Sequence, residues 1–232
     1  EGMEYTEAIQ LDYSSSGALS KQFQAYDGLP TINVTVKNCK FLPIYNQDGT
    51  IANHAPNPTG CHSIIDGQYF RNIKFIDNLV IDSPADSPNN TGTWLRFYAI
   101  DGMEISGNKF INTKSIKNTV VSLQTKTNGL LLKDVGTETE PSSTIPVMPC
   151  KNVTIERNIF DGFNSTSAGF PIVQSYGQST SVNDYNENII VRDNVFTNNW
   201  PSGAVRGANQ APNCIEMQYT KDIVIEGNTA KD

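Results

Sequence analysis

Lys151-Asn152-Val153-Thr154-Ile155-Glu156-Arg157-Asn158-Ile159-Phe160 is one copy of a phrase that returns along the whole chain. It reads Ile-Asn-Val-Thr-Val-Lys-Asn-Cys-Lys-Phe at 32–41, Arg-Asn-Ile-Lys-Phe-Ile-Asp-Asn at 71–78 and Asp-Gly-Met-Glu-Ile-Ser-Gly-Asn-Lys-Phe at 101–110. Two later copies are Glu-Asn-Ile-Ile-Val-Arg-Asp-Asn-Val-Phe at 187–196 and Lys-Asp-Ile-Val-Ile-Glu-Gly-Asn at 221–228. The shared pattern is apolar, any, apolar, two polar, Asn, any, Phe. Such repetition marks a structural unit that buries its apolar side only by stacking on its neighbours. Within a copy, residues such as Val153 and Ile155 recur with the period of a strand. The Asn that follows is expected to adopt the left-handed conformation and turn the chain. These asparagines fall at 38, 78, 108, 158, 194 and 228, so the spacing is 40, 30, 50, 36 and 34 residues. Variable spacing is what results when every unit keeps its strands and spends the excess on loops leaving one side of the stack.

A second, shorter strand precedes most copies, at 7–12, 61–66, 94–100, 119–124, 171–176 and 214–219. A strand pair per coil, an Asn at the corner and a Phe after it define the expected fold. It is all-β, a single-stranded right-handed parallel β-helix of about six rungs with long loops, forming one domain over 1–232. Glu1 opens directly into mid-domain sequence, so the chain reads as an excerpt of a longer protein. The six asparagines and Phe41, Phe110, Phe160 and Phe196 are assigned to the scaffold, as internal ladders. A Greek-key sandwich fits less well, because it calls for two-residue hairpin turns and would not repeat one phrase six times.

Composition narrows the function. The 232 residues include 38% hydrophobic and 18% charged side chains, and 17 Lys and Arg against 24 Asp and Glu give a net charge of −7. The bases are scattered, so a nucleic-acid partner is not expected. No apolar run approaches the roughly 20 residues of a membrane helix, which argues against membrane insertion. Cys39, Cys61, Cys150 and Cys214 lack metal-ligand spacing, and with only His54 and His62 beside them no metal site and no cofactor is expected. The cysteines are read as free, buried thiols.

Packing consumes the inward side chains of such a fold, leaving outward strand residues and loops for function. Alternation puts Gln10 and Asp12 outward if Ile9 and Leu11 point in. It likewise turns out Arg96 with Tyr98, Ser122 with Gln124, Gln174 with Tyr176, and Glu216 with Gln218. Amides, tyrosines and a few charges in file suit the hydroxyls and apolar faces of a sugar chain. Gln10, Tyr69, Trp94, Arg96 and Tyr98 are the expected binding residues at one end, and Gln124, Tyr176, Glu216 and Gln218 extend the row. A polysaccharide is therefore the expected partner. The loops at 45–58, 83–93, 135–148 and 176–186 would rim the groove.

The repeated phrase resembles the pectate-lyase-like β-helix superfamily over nearly the whole chain. Glu7-Ala8-Ile9-Gln10-Leu11-Asp12, Gly60-Cys61-His62-Ser63 and Gly67-Gln68-Tyr69-Phe70-Arg71-Asn72-Ile73 are similar to segments of right-handed β-helix proteins of Gram-positive bacteria and their phages. That likeness covers the first half of the chain. It implies a cell-surface or tail-associated, extracellular protein acting on glycans. Neither end shows an obvious polar cap, and uncapped solenoid ends expose strand edges that invite association, so missing flanking coils, a homotrimer as in tail spikes, or both are expected.

The first two rungs hold the densest ionisable set, Glu7 and Asp12, then His62 and Asp66, with Arg96 on the third. Two carboxylates on adjacent rungs can divide acid and base work, since like charges raise one pKa and leave one group protonated. Retaining glycosidases need the pair about 5 Å apart and inverting ones about 6.5 to 9.5 Å, and stacked rungs serve either. The expected activity is thus glycosidic hydrolysis by Glu7, Asp12, His62 and Asp66. Elimination from a uronate polymer, with His62, Tyr69 or Tyr98 and Arg96, is one alternative, and a non-catalytic glycan-binding adhesin or tail-fibre module is the other. Asp66 before Gly67 also fits an ordinary turn. The resemblance raises Ca²⁺ held by Asp clusters, but Asp82 and Asp86, the nearest candidates, read better as a solvated turn.

Overall fold

The computed structural model describes residues 7–10, 25–26, 30–42, 63–82, 93–113, 119–125, 130–131, 143–144, 147–163, 171–177, 181–199 and 213–231. Three parallel sheets of six strands each dominate it. The first contains Glu7–Gln10, Ser63–Gln68, Thr93–Tyr98, Thr119–Gln124, Val173–Tyr176 and Ile215–Gln218, each paired with the next in chain order. The second is built from the repeated phrase: Thr31–Lys37, Phe70–Ile76, Asp101–Ser106, Lys151–Glu156, Asn186–Arg192 and Thr220–Glu226. The third holds the short segments after each corner, Lys40–Phe41, Leu79–Ile81, Lys109–Ile111, Ile159–Asp161, Val195–Thr197 and Thr229–Lys231. The chain visits the sheets in that order and then repeats, an arrangement compatible with a parallel β-helix. A small separate sheet joins Ala25–Tyr26, Leu130–Leu131 and Ser143–Thr144. No helix among the described residues is long and apolar enough to cross a membrane.

Columns of like residues fill the interior. The second sheet stacks Ile73, Met103, Val153 and Ile189 in register, and beside them Phe75, Ile105, Ile155 and Val191. The first contributes Ile65, Leu95, Val121 and Val173, all fully buried. Branched and aromatic side chains pack well on these pleated inner faces, and each fully buried one contributes about 1.5 to 3 kcal/mol.

The corner between the second and third sheets corrects the sequence reading. The left-handed residue is the one before the conserved-pattern Asn: Asp77, Gly107, Arg157, Asp193 and Gly227 have φ of 53°, 67°, 54°, 53° and 63°. The following Asn is turned inward and forms a ladder. The backbone N–H of Asn78, Asn108, Asn158 and Asn194 donates to Oδ1 of the next Asn along the stack at 2.8 to 3.0 Å. Each Nδ2 donates to the same Oδ1 and to a carbonyl of the preceding strand, as Asn158 does to Ile105. Strand pairing cannot satisfy a backbone N–H at a corner, and a primary amide supplies the missing acceptor. Asn38 is the exception, because it occupies the left-handed position itself (φ 56°) and Cys39 heads the ladder.

The Phe column is also present, with two substitutions, Val80 within it and Ala230 after Phe196. Phe110, Phe160 and Phe196 stack with centroids 5.2 and 4.9 Å apart. Val80 takes the Phe position between Phe41 and Phe110, and Phe75 of the second sheet fills the gap, 5.9 and 6.2 Å from their rings. Two exposed Asn pairs, not foreseen from the sequence, lie along the outside of the second sheet. Asn72 donates to Asn33, and Asn188 to Asn152, at 2.7 and 2.8 Å, all four at positive φ.

Of the cysteines, Cys150 is a free, buried thiol as expected, Cys39 is free but exposed, Cys214 is half-buried against the core, and Cys61 lies outside the described residues. Burial pushes the Cys150 thiol up to about 12.

Candidate functional site

The register of the first sheet sets its residues in columns. One column reads Gln10, Asp66, Arg96, Ser122, Gln174, Glu216. The adjacent one reads Gln68, Tyr98, Gln124, Tyr176, Gln218. Successive members lie about 4.8 Å apart, the strand spacing. Ser122 is buried beneath Gln124, whose Nε2 donates to its Oγ at 3.0 Å. Arg96 sits with Cζ 5.8 Å from the Tyr98 ring centroid, a cation–π distance. At the far end Glu216 is fixed by two amides, Oε2 accepting from Asn213 at 3.0 Å and Oε1 from Gln218.

A third column lies at the corner into the second sheet: Tyr69, Ala99, Thr125 and Gly177 each donate a backbone N–H to the last residue of the next strand of the first sheet. Tyr219 continues it. Tyr69 and Tyr219 have φ of 59° and 47°, in a region that costs a bulky residue about 1 to 2 kcal/mol. The Tyr219 ring meets Tyr176 at 6.0 Å, edge to face, and Tyr185 at 5.8 Å. The loop carrying Tyr185 is held by a short 3-10 turn, Val182–Asp184, whose Asp184 carbonyl accepts from Thr125 Oγ1 at 3.1 Å.

The outer face of the second sheet has different chemistry. Arg71, Asp101, Lys151, Glu187 and Lys221 follow one another in register and pair: Arg71 with Asp101 at 3.5 Å, and Glu187 with Lys151 and Lys221 at 3.4 and 3.3 Å. Lys221, then Lys151, hold the Glu187 carboxyl below its usual range. Charges consumed in this way leave little for a ligand, whereas the first sheet presents amides and rings. A cleft of about 230 Å³ lies where the two faces meet, lined by Tyr69, Arg71, Asp101, Met148 and Lys151 among others.

The expected site residues divide accordingly. Tyr98, Gln124, Tyr176 and Gln218 share one column, and Arg96 and Glu216 the other, as alternation required. Gln10 and Asp66 hold register positions in the Arg96 column. Trp94 is corrected: it is fully buried, 5.0 Å from Phe163 and 6.2 Å from Phe110, because its ring fills core space beside the Phe column. Glu7 pairs with Ser63 and shares the register parity of Ile9, not of Gln10, which separates it from the Asp66 column. Asp12 and His62 lie outside the described residues. Glu216 stands four strands from Asp66, roughly 19 Å at the strand spacing. Asp82 is buried rather than solvated, accepting from the Thr113 N–H at 2.6 Å and from its hydroxyl, so it is a turn clamp. Asp86 lies outside the described residues, among which no three His, Cys, Asp or Glu are grouped to hold a metal.

Sequence reasoning missed Gln68, Tyr185 and Tyr219. A signal existed for the last: Gln218-Tyr219 repeats the dipeptide Gln68-Tyr69 at the equivalent corner. No protein-family model, curated protein or solved structure matches this chain. The class that fold and face define is an all-β stack of parallel sheets, compatible with a β-helix, with one polar and aromatic outer face.

Proposed function

We propose that this protein is a right-handed parallel β-helix of about six rungs that binds a bacterial surface or extracellular polysaccharide along the outer face of its first sheet and hydrolyses its glycosidic bonds at the Asp66 end. The observation that carries the reading is the pair of in-register columns, Arg96 to Glu216 and Gln68 to Gln218. At the strand spacing of about 4.8 Å each step offers at least one amide or tyrosine from the second column, joined by Arg96, Gln174 and Glu216 from the first, so a linear polymer laid across the strands meets polar groups at each step. Hydrolysis is assigned to that end because the strand position next in register to Arg96 is Asp66, a residue type able to act as acid or base in glycosidic cleavage. A polymer of this kind is met on a cell surface, outside the cell or at a virion tail.

The test is incubation with a panel of Gram-positive wall and capsular glycans, following reducing ends and unsaturated-uronate absorbance together. New reducing ends without absorbance, abolished by Asp66→Asn, are expected. Absorbance would replace hydrolysis by elimination, and retention on a glycan column without products would leave a binding module.

A further inference from the structure

We infer that Tyr176, Tyr185 and Tyr219 form a second sugar-stacking platform at the Glu216 end of the face, selective for neutral or N-acetylated pyranose residues over uronates. The inference rests on the polysaccharide reading and adds to it a subsite and a substrate class. Tyr219 occupies a left-handed position at the corner between the first and second sheets, where Tyr69 and Ala99 are left-handed too, and the residue there is a large aromatic instead of the Gly or Asn that such a backbone favours. A tyrosine gains nothing there as a turn residue, and burial does not recover the strain, because Tyr219 is 40% and Tyr176 42% exposed. Strain held at an exposed aromatic is a mark of function when the surroundings are built to maintain it. They are built so here: a side chain at Gly177 would put its Cβ 1.9 Å from the Tyr219 carbonyl oxygen, so only glycine admits this corner. Tyr185 is set against the Tyr219 ring from a turn pinned through Thr125.

Edge-to-face and tilted rings leave aromatic faces open to the C–H surface of a pyranose. Beside them the Glu216 carboxylate is clamped by Asn213 and Gln218, so it is a fixed acceptor for sugar hydroxyls. A carboxylate held at that position repels the carboxylate of a uronate and accepts from a hydroxyl or acetamido N–H. Tyr69 and Tyr98 occupy the corresponding columns at the other end, so the two aromatic pairs bracket the amide centre about Gln124.

Affinity electrophoresis in gels holding a mixed-linkage glucan, a galactomannan, glycol chitin, polygalacturonate or alginate tests this, with calorimetry on hexamers of whichever polymer retards the protein. A neutral or N-acetylated polymer is expected to retard it and the two uronates are not. Tyr219→Asn, which suits the turn and removes the ring, is expected to weaken binding at least tenfold with an unchanged or higher Tm. Glu216→Gln is expected to admit the uronates at low salt. Retardation by uronates alone would overturn the platform's selectivity while leaving the polysaccharide reading standing. Full affinity in Tyr219→Asn, with loss in Tyr98→Ala or Gln124→Ala, would overturn the platform alone. No retardation by any polymer would overturn both.

Discussion

Replacing Asn158 with Ala cuts the inner ladder at its middle. Asn158 is fully buried, and its Oδ1 accepts from both the backbone N–H and Nδ2 of Asn108 at 2.9 Å. Its own Nδ2 donates to the Ile105 carbonyl at 2.9 Å and to Asn194 Oδ1 at 3.0 Å. Truncation orphans the Asn108 N–H and takes one partner each from Asn108 Nδ2, Ile105 and Asn194. One buried orphan at about 2 kcal/mol and further weakened bonds at about 1 kcal/mol or less each give a loss of roughly 4 kcal/mol. For a chain of this length that lowers Tm by roughly 10 °C. Differential scanning calorimetry reads the shift, with Asn188→Gly as the control. That change keeps the left-handed backbone and removes only the exposed bond to Asn152, so about 1 kcal/mol or less is expected. Asn228→Ala, at the partly buried end of the ladder, should fall between the two. An Asn158→Ala protein that melts with Asn188→Gly would refute the ladder as a main support of the stack.

Phe160→Ala opens the stack between Phe110 and Phe196, 5.2 and 4.9 Å away, and should cost about 3 to 5 kcal/mol in denaturant unfolding. Glu187→Gln tests the charged column. Because the folded carboxyl titrates below its ordinary 4.5, the wild-type advantage is present above pH 4.5 and disappears as pH falls through the folded value. A Tm gap that widens as the pH is lowered from 6 to 3 would contradict the pairing. Iodoacetamide at pH 8 should label Cys39 within minutes and Cys150, whose thiol is pushed up to about 12, only on unfolding, as read by peptide mass spectrometry.

The parallel stack was legible because it is written repeatedly: apolar alternation, Asn and Phe recur in phase, and stacking neighbours in register makes phase visible without contacts. The third sheet was not, since strands of two or three residues carry no periodicity of their own. The left-handed position was placed one residue late because both Asn38 and the ladder asparagines look alike as letters, although only the latter face inward. Trp94 and Leu95 illustrate a further limit. Both are fully buried although adjacent, because Trp94 fills core space beside the Phe column and simple alternation fails there. The outer row from Arg96 to Gln218 was recoverable because mid-strand alternation holds there except at Ser122, which is buried beneath Gln124. Tyr219 was overlooked because a corner obeys no period of two.

Binding along the first sheet is tested most directly by depletion of the protein from solution on the polymer that retards it, comparing variants of two outer faces. Tyr98→Ala and Gln124→Ala on the first sheet should each lose retention, while Lys151→Ala and Lys221→Ala on the second should keep it at wild-type melting temperatures. Retention lost through the lysines and kept through Tyr98 and Gln124 would contradict the account.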